Sequence, residues 1–287
     1  MSSTAAPRLG GQALIEGVMV RAGDVWAAAA RTPEGAIVTH QEPVPAWVGT
    51  ARRVPVVRGA VALASTVALG MRALSWSRLV AEGQQQSRRS VVAATLLSVM
   101  VFVTVFAVAP AAAARLIVGD HHRAAFAVTE AVARLALFVG YIAAIGRLPG
   151  IRRTFEYHGA EHQAIAATEH GDPLDLDHVR RYSPRHARCG TDFLVLVAVV
   201  AIVAFALVSP HAWWALAASR VLLLPVVAGL AYEILRVSDR PSVARWLTPV
   251  MAPALAVQRL TTRQPSDDQI EVAIAAVETA LSARLSG

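Results

Sequence analysis

The sequence predicts a mainly α-helical, polytopic membrane protein with about four transmembrane helices and a small cytosolic β-rich segment at its N-terminus. The first observation is composition: of 287 residues, 55% are hydrophobic and only 16% are charged, whereas soluble globular chains carry about 25% charged residues. The second is a series of long apolar runs, which a bilayer accommodates as helices. The third is a group of short apolar runs between turn residues near the N-terminus.

The N-terminal segment, residues 1–53, contains three strand candidates. They are Ala13–Val20, Val25–Arg31 and Ala36–His40. The sequence Thr32-Pro33-Glu34-Gly35 between the last two is a turn signal. We therefore expect a small sheet before the first helix.

The next segment, residues 54–89, contains an apolar stretch from Gly59 to Met71, bounded by Arg58 and Arg72. A helix of that length spans about 20 Å, which is less than the roughly 30 Å of a hydrocarbon core. We interpret it as an interfacial or re-entrant helical segment, with a fifth span as the alternative.

Four longer apolar stretches follow, two in residues 90–146 and two in residues 192–235. They are Ser90–Ala114, Ala124–Gly146, Phe193–Pro210 and a less regular stretch from Trp213 to Tyr232. Each approaches the length of about 20 residues that a membrane crossing needs. The fourth contains Arg220, which we expect to extend outward toward the membrane surface.

The second predicted span carries Glu130 and Arg134. They are four residues apart, so their side chains lie on one helix face and can pair. Charged side chains within a span normally face the protein interior. A structural intramembrane ion pair is the preferred interpretation, and a functional role is the alternative.

The distribution of arginine predicts the orientation in the membrane. Ten arginines occur up to Arg89, seven in the loop 147–191 and six from Arg236 onward, but only two between the first and second spans. By the positive-inside rule, both termini and the loop 147–191 are cytosolic. The net charge of +7 is then explained by arginine beside anionic lipid rather than by nucleic acid. Membrane lipid is the expected partner, and a homo-oligomer is left open.

The C-terminal tail, residues 236–287, contains the capping-box pattern Ser266-Asp-Asp-Gln269. Apolar residues recur after it at helical spacing: Ile270, Ile274, Val277 and Leu281. We expect an amphipathic helix that docks on the protein or on the membrane.

The most informative short pattern is His158-Gly-Ala-Glu-His162, in the predicted cytosolic loop. On a helix, His158 and His162 share one face, about 6 Å apart along the axis. Two imidazoles with a carboxylate between them form a compact binding site for a divalent metal, with zinc as the first candidate. Glu161 would be the general base of such a site.

A second cluster contains His186 and Cys189, at a spacing that suits metal ligation. Together with His158 and His162 they would form a four-ligand site. A closed site of this kind would be structural, whereas a site with one ligand turned away could activate a water. Cys189 is the only cysteine, so an intrachain disulfide is excluded.

Three acidic residues are predicted as outer-shell or alternative ligands: Glu169, Asp192 and Glu233. Glu169 is seven residues beyond His162, about 10 Å along a helix axis. On a straight helix it therefore cannot share a metal with both histidines. Either the helix ends before Glu169 or this residue serves a second position.

Less specific interpretations compete with the metal site. Histidine pairs four residues apart also arise by chance, and a lone cysteine at a helix start is commonly a small buried side chain. Glu233 would ordinarily form an ion pair with Arg134, Arg220 or Arg236.

Five motifs are spread over nearly the whole chain: Gly10–Arg21, Tyr157–His162, His186–Thr191, Tyr232-Glu233 and Leu260–Pro265. Together they resemble the YqhQ-like family of bacterial integral membrane proteins, which contain a domain of unknown function. The resemblance implies a multi-pass protein of the bacterial inner membrane and a metal-dependent enzyme whose reaction is not established.

The resemblance also implies that Glu16, Arg134 and Glu233 are motif positions, with Glu16 among the alternative ligands. Gln163 and Asp192 depart from the expected pattern, which has a basic residue and a small polar residue at these positions. Neither departure removes a proposed ligand.

We therefore expect a metal-dependent enzyme, a hydrolase that acts at the cytosolic membrane face on a lipid-linked or membrane-proximal substrate. The first alternative is a membrane scaffold or assembly factor with a structural metal or none. The second is a transporter, which Glu130, Arg134 and Glu233 motivate and the lack of an inverted repeat disfavours.

Overall fold

The computed structural model describes residues 9–45, 57–83, 87–119, 122–186, 190–208, 210, 212–238 and 256–285. The strands are β1 Leu9–Leu14, β2 Gly17–Ala22, β3 Val25–Arg31 and β4 Ile37–Pro43. The described helices are α1 Val57–Glu82, α2 Arg88–Val103, α3 Ala109–Val118, α4 Arg123–Ile145, α5 Pro149–His170, α6 Leu176–Val179, α7 Gly190–Leu207, α8 Trp213–Leu222, α9 Leu224–Ser238, α10 256–261 and α11 Asp267–Leu285. A π-helical turn, Thr104–Val108, joins α2 to α3.

The sheet is an antiparallel meander in the order β1-β2-β3-β4. The prediction of one strand over Ala13–Val20 is wrong, because the chain turns back at residues 15–16 and β1 pairs with β2. Glu16 has a positive φ of 50°, a conformation that a tight reversal requires. The predicted turn at Thr32–Gly35 is present, with Gly35 N–H donating to Thr32 O.

Both faces of the central strands β2 and β3 are buried, which explains why their sequences are nearly continuous apolar runs. Val18 and Val20 face α5 and α11, whereas Met19, between them in sequence, faces α1. The same alternation on β3 directs Trp26 and Ala28 toward α1. The sheet is thus the middle layer of three, as the period-two geometry of strands allows.

Helix α1 is 26 residues long, so it extends well beyond the apolar stretch Gly59–Met71 on which the length estimate of about 20 Å was based. Arg72 is an exposed position within the helix. Leu69 before it and Ala73 after it both pack on the sheet, so the helix continues past Arg72. The first turns of α1 instead cross α9. A Cβ added at Gly59 would lie 2.8 Å from Gly229 Cα, so glycine permits this close crossing.

Three described helical stretches are long and apolar enough to cross a membrane: Arg89–Val118, Arg123–Ile145 and Trp213–Ser238. They correspond to the first, second and fourth predicted spans. The predicted third span, Phe193–Pro210, corresponds to a shorter apolar helix whose Asp192–Leu207 part measures about 24 Å.

The C-terminal helix α11 docks on the protein. Val272, Ala276 and Val277 are fully buried in the core that α11 forms with the sheet and α5. The predicted capping box is present in part, since the Gln269 side chain accepts a hydrogen bond from Ser266 N–H at 3.0 Å. The segments predicted separately at the N-terminus, in the middle loop and in the tail therefore pack together as one layered unit.

We expect Gly59→Ala to lower the thermal stability of the purified protein, because its methyl group would meet the backbone of Gly229. Overpacking of this kind typically costs about 1–3 kcal/mol. Gly140→Ala is the matched control, since Gly140 is exposed on α4 and its added Cβ would meet nothing within 4 Å. Equal unfolding temperatures for the two variants would contradict the proposed glycine crossing.

Candidate metal centre

The pattern His158-Gly-Ala-Glu-His162 lies within the continuous helix α5. Ligand atoms of His158, Glu161 and His162 all lie within 4.8 Å of one another, and the two imidazole centroids are 4.4 Å apart. The predicted sharing of one helix face by the two histidines is therefore observed, and Glu161 joins them.

Main-chain carbonyls fix both imidazoles. His158 Nδ1 lies 2.9 Å from Thr261 O, and His162 Nδ1 lies 2.7 Å from Pro184 O. A carbonyl can only accept, so each Nδ1 carries the proton and each Nε2 is the nitrogen with the lone pair. Carbonyl-fixed tautomers of this kind are typical of metal-binding histidines.

The Glu161 carboxyl is buried, with 4% of the residue exposed. It lies against β1 at Gly11, where any Cβ would overlap its atoms. Within the described residues it has no hydrogen bond or ion pair, and burial raises its pKa to about 8. A carboxylate in this position lacks the cation that would stabilise its charged form.

Burial also keeps the histidines neutral. It lowers the pKa of His162 to about 3, with a smaller contribution from His158, and it lowers the pKa of His158 from its usual value. Two neutral imidazoles and one carboxyl form a donor set that a divalent cation prefers. Such a cation would stabilise the ionised form of Glu161, so the residues fit a metal ion.

Close packing requires a glycine at position 159, inside the motif. A Cβ on Gly159 would overlap the carbonyl oxygen of Arg263, whose N–H donates to Phe155 O at 3.0 Å. The segment after α10 therefore runs directly over α5, which places Thr261 O against His158.

Glu169 and His186 form a pair beside this group. Because α5 continues to His170, Glu169 cannot reach the metal candidate along the same helix, and its Oε2 lies 3.1 Å from His186 Nε2 instead. The His186 ring is 5.8 Å from that of His162. The helix therefore does not end before Glu169. The structure favours the alternative that Glu169 serves a second position, beside His186. Cys189 lies outside the described residues.

Asp192 is connected to the surroundings of the centre by the side chain of Gln258. Gln258 Nε2 donates to Asp192 Oδ1 at 2.7 Å and to His186 O at 2.9 Å. Both side chains are fully buried. Asp192 therefore supports the position of the His186 backbone, and in the described contacts it does so without touching His158 or His162.

Glu16 and Glu233 bind arginines. Arg153 Nη2 donates to Glu16 Oε2 at 2.6 Å, and Tyr157 O–H donates to the same oxygen at 3.2 Å. Arg58 Nε donates to Glu233 Oε1 at 2.6 Å. The expectation that Glu233 pairs with Arg134, Arg220 or Arg236 thus misses its partner Arg58, which the α1–α9 crossing brings close.

The predicted pair of charges in the apolar helices is present, since Arg134 Nη2 donates to Glu130 Oε1 at 2.6 Å. The expectation for Arg220 is wrong. Arg220 is fully buried and its Nη2 donates to Glu130 Oε2 at 2.7 Å, so it points into the bundle rather than toward the membrane surface.

Four residues near the centre were not predicted as individual site residues from the sequence: Gly11, Pro184, Gln258 and Thr261. Gly11 and Thr261 lie in two of the motifs that carry the family resemblance, which was the available signal. Pro184 and Thr261 contribute only main-chain oxygen atoms, which no residue type reveals.

Comparison with known proteins agrees with the resemblance. A family model described as "Protein of unknown function (DUF1385)" matches residues 54–283. The chain is 31% identical over 288 aligned residues to "Uncharacterized protein YqhQ" of Bacillus subtilis (strain 168), covering 93% of this chain and 90% of that protein. No solved structure matches.

The raised pKa of Glu161 predicts a pH dependence of stability in the metal-free protein. The folded state favours the protonated carboxyl, so its contribution is full below pH 4.5 and is lost as the pH rises to about 8. Between these limits we expect the wild type to lose on the order of 4 kcal/mol relative to Glu161→Gln.

The measurement is chemical or thermal unfolding of both proteins across this range, in the presence of a chelator. The difference between the two proteins cancels the titration of all other groups. Parallel pH profiles would show that Glu161 is not buried as an uncompensated carboxyl.

Proposed function

Since this chain belongs to the DUF1385 family, whose function is unknown, we propose that it is a metal-dependent membrane enzyme, a hydrolase that acts on a membrane-proximal or lipid-linked substrate at the cytosolic face. One observation carries the proposal: His158, Glu161 and His162 present ligand atoms within 4.8 Å of one another, with His158 half-buried and the other two residues buried.

In this proposal the metal is held by three side chains, His158, Glu161 and His162. Glu161 thereby changes role, from the general base expected at first to a ligand, because its carboxyl lies within the ligand group. Two histidines and one glutamate are a typical donor set of catalytic zinc, which keeps an open position. The bound ion would supply a Lewis acid and lower the pKa of a water.

The surrounding chain orients and protects this centre. Thr261 O and Pro184 O hold the imidazoles in the required tautomer, and burial of Glu161 limits competition from bulk water. The pair of His186 and Glu169 lies next to His162. With Glu161 as a ligand, this pair is the best candidate among the described residues for proton transfer.

The position of α5 supports a membrane-proximal substrate. Only residues 146–148 separate α5 from the end of the apolar helix α4, and His186 precedes the apolar helix α7 by a few residues. We propose that α2–α3, α4, α7 and α8–α9 form four spans and that the arginine-rich ends are cytosolic. The centre then lies at the inner membrane surface.

A structural metal in a scaffold protein is the second candidate. The centre joins α5 to two segments distant in sequence, through Thr261 and Pro184. A metal there would stabilise the fold in the way that closed zinc sites do.

We expect elemental analysis of the purified protein to find about one divalent transition metal per chain. The double variant His158→Ala/His162→Ala should lose it. His178→Ala is the matched control, because His178 is partly exposed and its side chain pairs with Asp175, away from the candidate metal ligands. Absence of metal from wild type purified without chelator would refute the proposed centre.

The role of Glu161 is tested separately. If Glu161 is a ligand, Glu161→Gln should lower metal content, because an amide is a weaker zinc ligand than a carboxylate. Full metal content with lost turnover would restore the role of general base. The scaffold would be favoured by a third result. In it, the wild-type protein holds its metal and unfolds when the metal is removed, but hydrolyses no lipid-linked ester or phosphoester.

We also expect Gly11→Ala to weaken metal binding, by about tenfold or more, since its methyl group would displace the Glu161 carboxyl. Gly10→Ala is the neighbouring control, because a Cβ there meets nothing within 4 Å. Titration of the metal-free proteins with zinc, followed by calorimetry, compares the two. Equal affinities would place Glu161 outside the ligand set.

A further inference from the structure

A second group of charges lies in the apolar helices, remote in sequence from the metal candidate. Glu130 accepts hydrogen bonds from Arg134 on its own helix α4 and from Arg220 on α8. The side chains are 3%, 5% and 0% exposed, respectively. We call these three residues the arginine triad.

The arginine triad carries an excess positive charge. Two guanidinium groups and one carboxylate leave a net charge of +1. The other described acidic residues of the apolar helices, Asp192 and Glu233, contact Gln258 and Arg58. A buried net charge in a membrane-spanning helix is costly unless it is compensated.

Main-chain carbonyls compensate part of this charge. Pro110 lacks the N–H that would bond Phe106 O within the helix, and Arg134 Nε donates to that carbonyl at 3.0 Å. Arg220 Nη1 donates to Val208 O at 2.6 Å, just beyond the end of α7. The Phe205 ring lies 4.6 Å from Arg134 Cζ and 4.7 Å from Arg220 Cζ, which adds cation–π stabilisation.

One guanidinium nitrogen of Arg134 is not used in these contacts. Within the described residues, Arg134 Nη1 forms no hydrogen bond, whereas Nε and Nη2 of the same side chain do. All three guanidinium nitrogens of Arg220 donate. Arg134 lies near the middle of α4, so this donor is at the level of the bilayer centre if α4 spans the membrane.

We infer that the arginine triad is an anion site that takes a small monovalent inorganic ion, such as chloride, at Arg134 Nη1. The ion neutralises the excess charge and accepts the remaining N–H donors. The triad side chains are nearly completely buried, which favours a small ion over a large organic anion. A lipid phosphate is excluded by depth, since headgroups lie about 15 Å from the bilayer centre.

The test uses the full chain in detergent, with sodium chloride replaced by sodium gluconate at constant ionic strength. We expect chloride to raise the unfolding temperature of wild type along a saturable curve. Arg134→Gln should abolish the saturable part, because it removes both the donor and the excess charge. Arg123→Gln, at the exposed start of the same helix, removes one charge elsewhere and should keep the wild-type response.

A direct measurement keeps the inference testable if Arg134→Gln fails to fold. Equilibrium dialysis of wild type with radioactive chloride should show about one bound ion per chain, displaced by bromide and not by gluconate. Absence of saturable binding would overturn the inference, as would a chloride response that Arg134→Gln retains. The metal-binding proposal does not depend on either result.

Discussion

The packing of α5 against backbone on two sides is the constraint on which the candidate site depends. On one side, Glu161 lies on β1 where Gly11 has no side chain. On another, Gly159 allows the segment after α10 to run over the helix at Arg263. Both contacts require glycine, because any Cβ would overlap the partner. They bring Thr261 O and the Glu161 carboxyl to the same turn of α5, next to His158 and His162.

Two kinds of buried charge follow from this architecture. In the layered unit, Glu161 is a carboxyl without a cation in the described structure, and its pKa is raised by burial alone. In the apolar helices, Glu130 has two cations and is the centre of a network that joins α4, α8 and carbonyls next to α3 and α7. The proposed metal would stabilise the ionised form of the first arrangement, and the proposed anion would neutralise the excess charge of the second.

The long helix α1 connects the two parts of the molecule. Its first turns meet α9 at Gly59 and through the ion pair of Arg58 with Glu233, and its later turns cover one face of the sheet at Leu69 and Ala73. Glu233, which is remote from the histidines, is thereby joined through α1 to the sheet on which Glu161 packs.

The sequence predicted much of the local structure because local structure depends on periodicity and composition. The strand Val25–Arg31, the turn after it, the long apolar helices and the tail helix all follow from patterns of neighbouring residues. It failed where a tertiary contact overrides the local signal. The apolar run Ala13–Val20 reads as one strand, but a reversal at Glu16 places its two halves in different strands. Arg72 bounds an apolar stretch in the sequence, but in the structure it is an exposed position of a longer helix whose other face packs on the sheet.

By itself, the sequence determined the helical class, the apolar stretches and the pairing of His158 with His162 on one helix face, because each depends on residues a few positions apart. Only the tertiary structure decided which groups meet across long separations. Arg220 reaches Glu130 across 90 positions, and Thr261 O reaches His158 across 103. Such contacts depend on how helices cross and on where backbone oxygens point, and neither property is a function of local residue type.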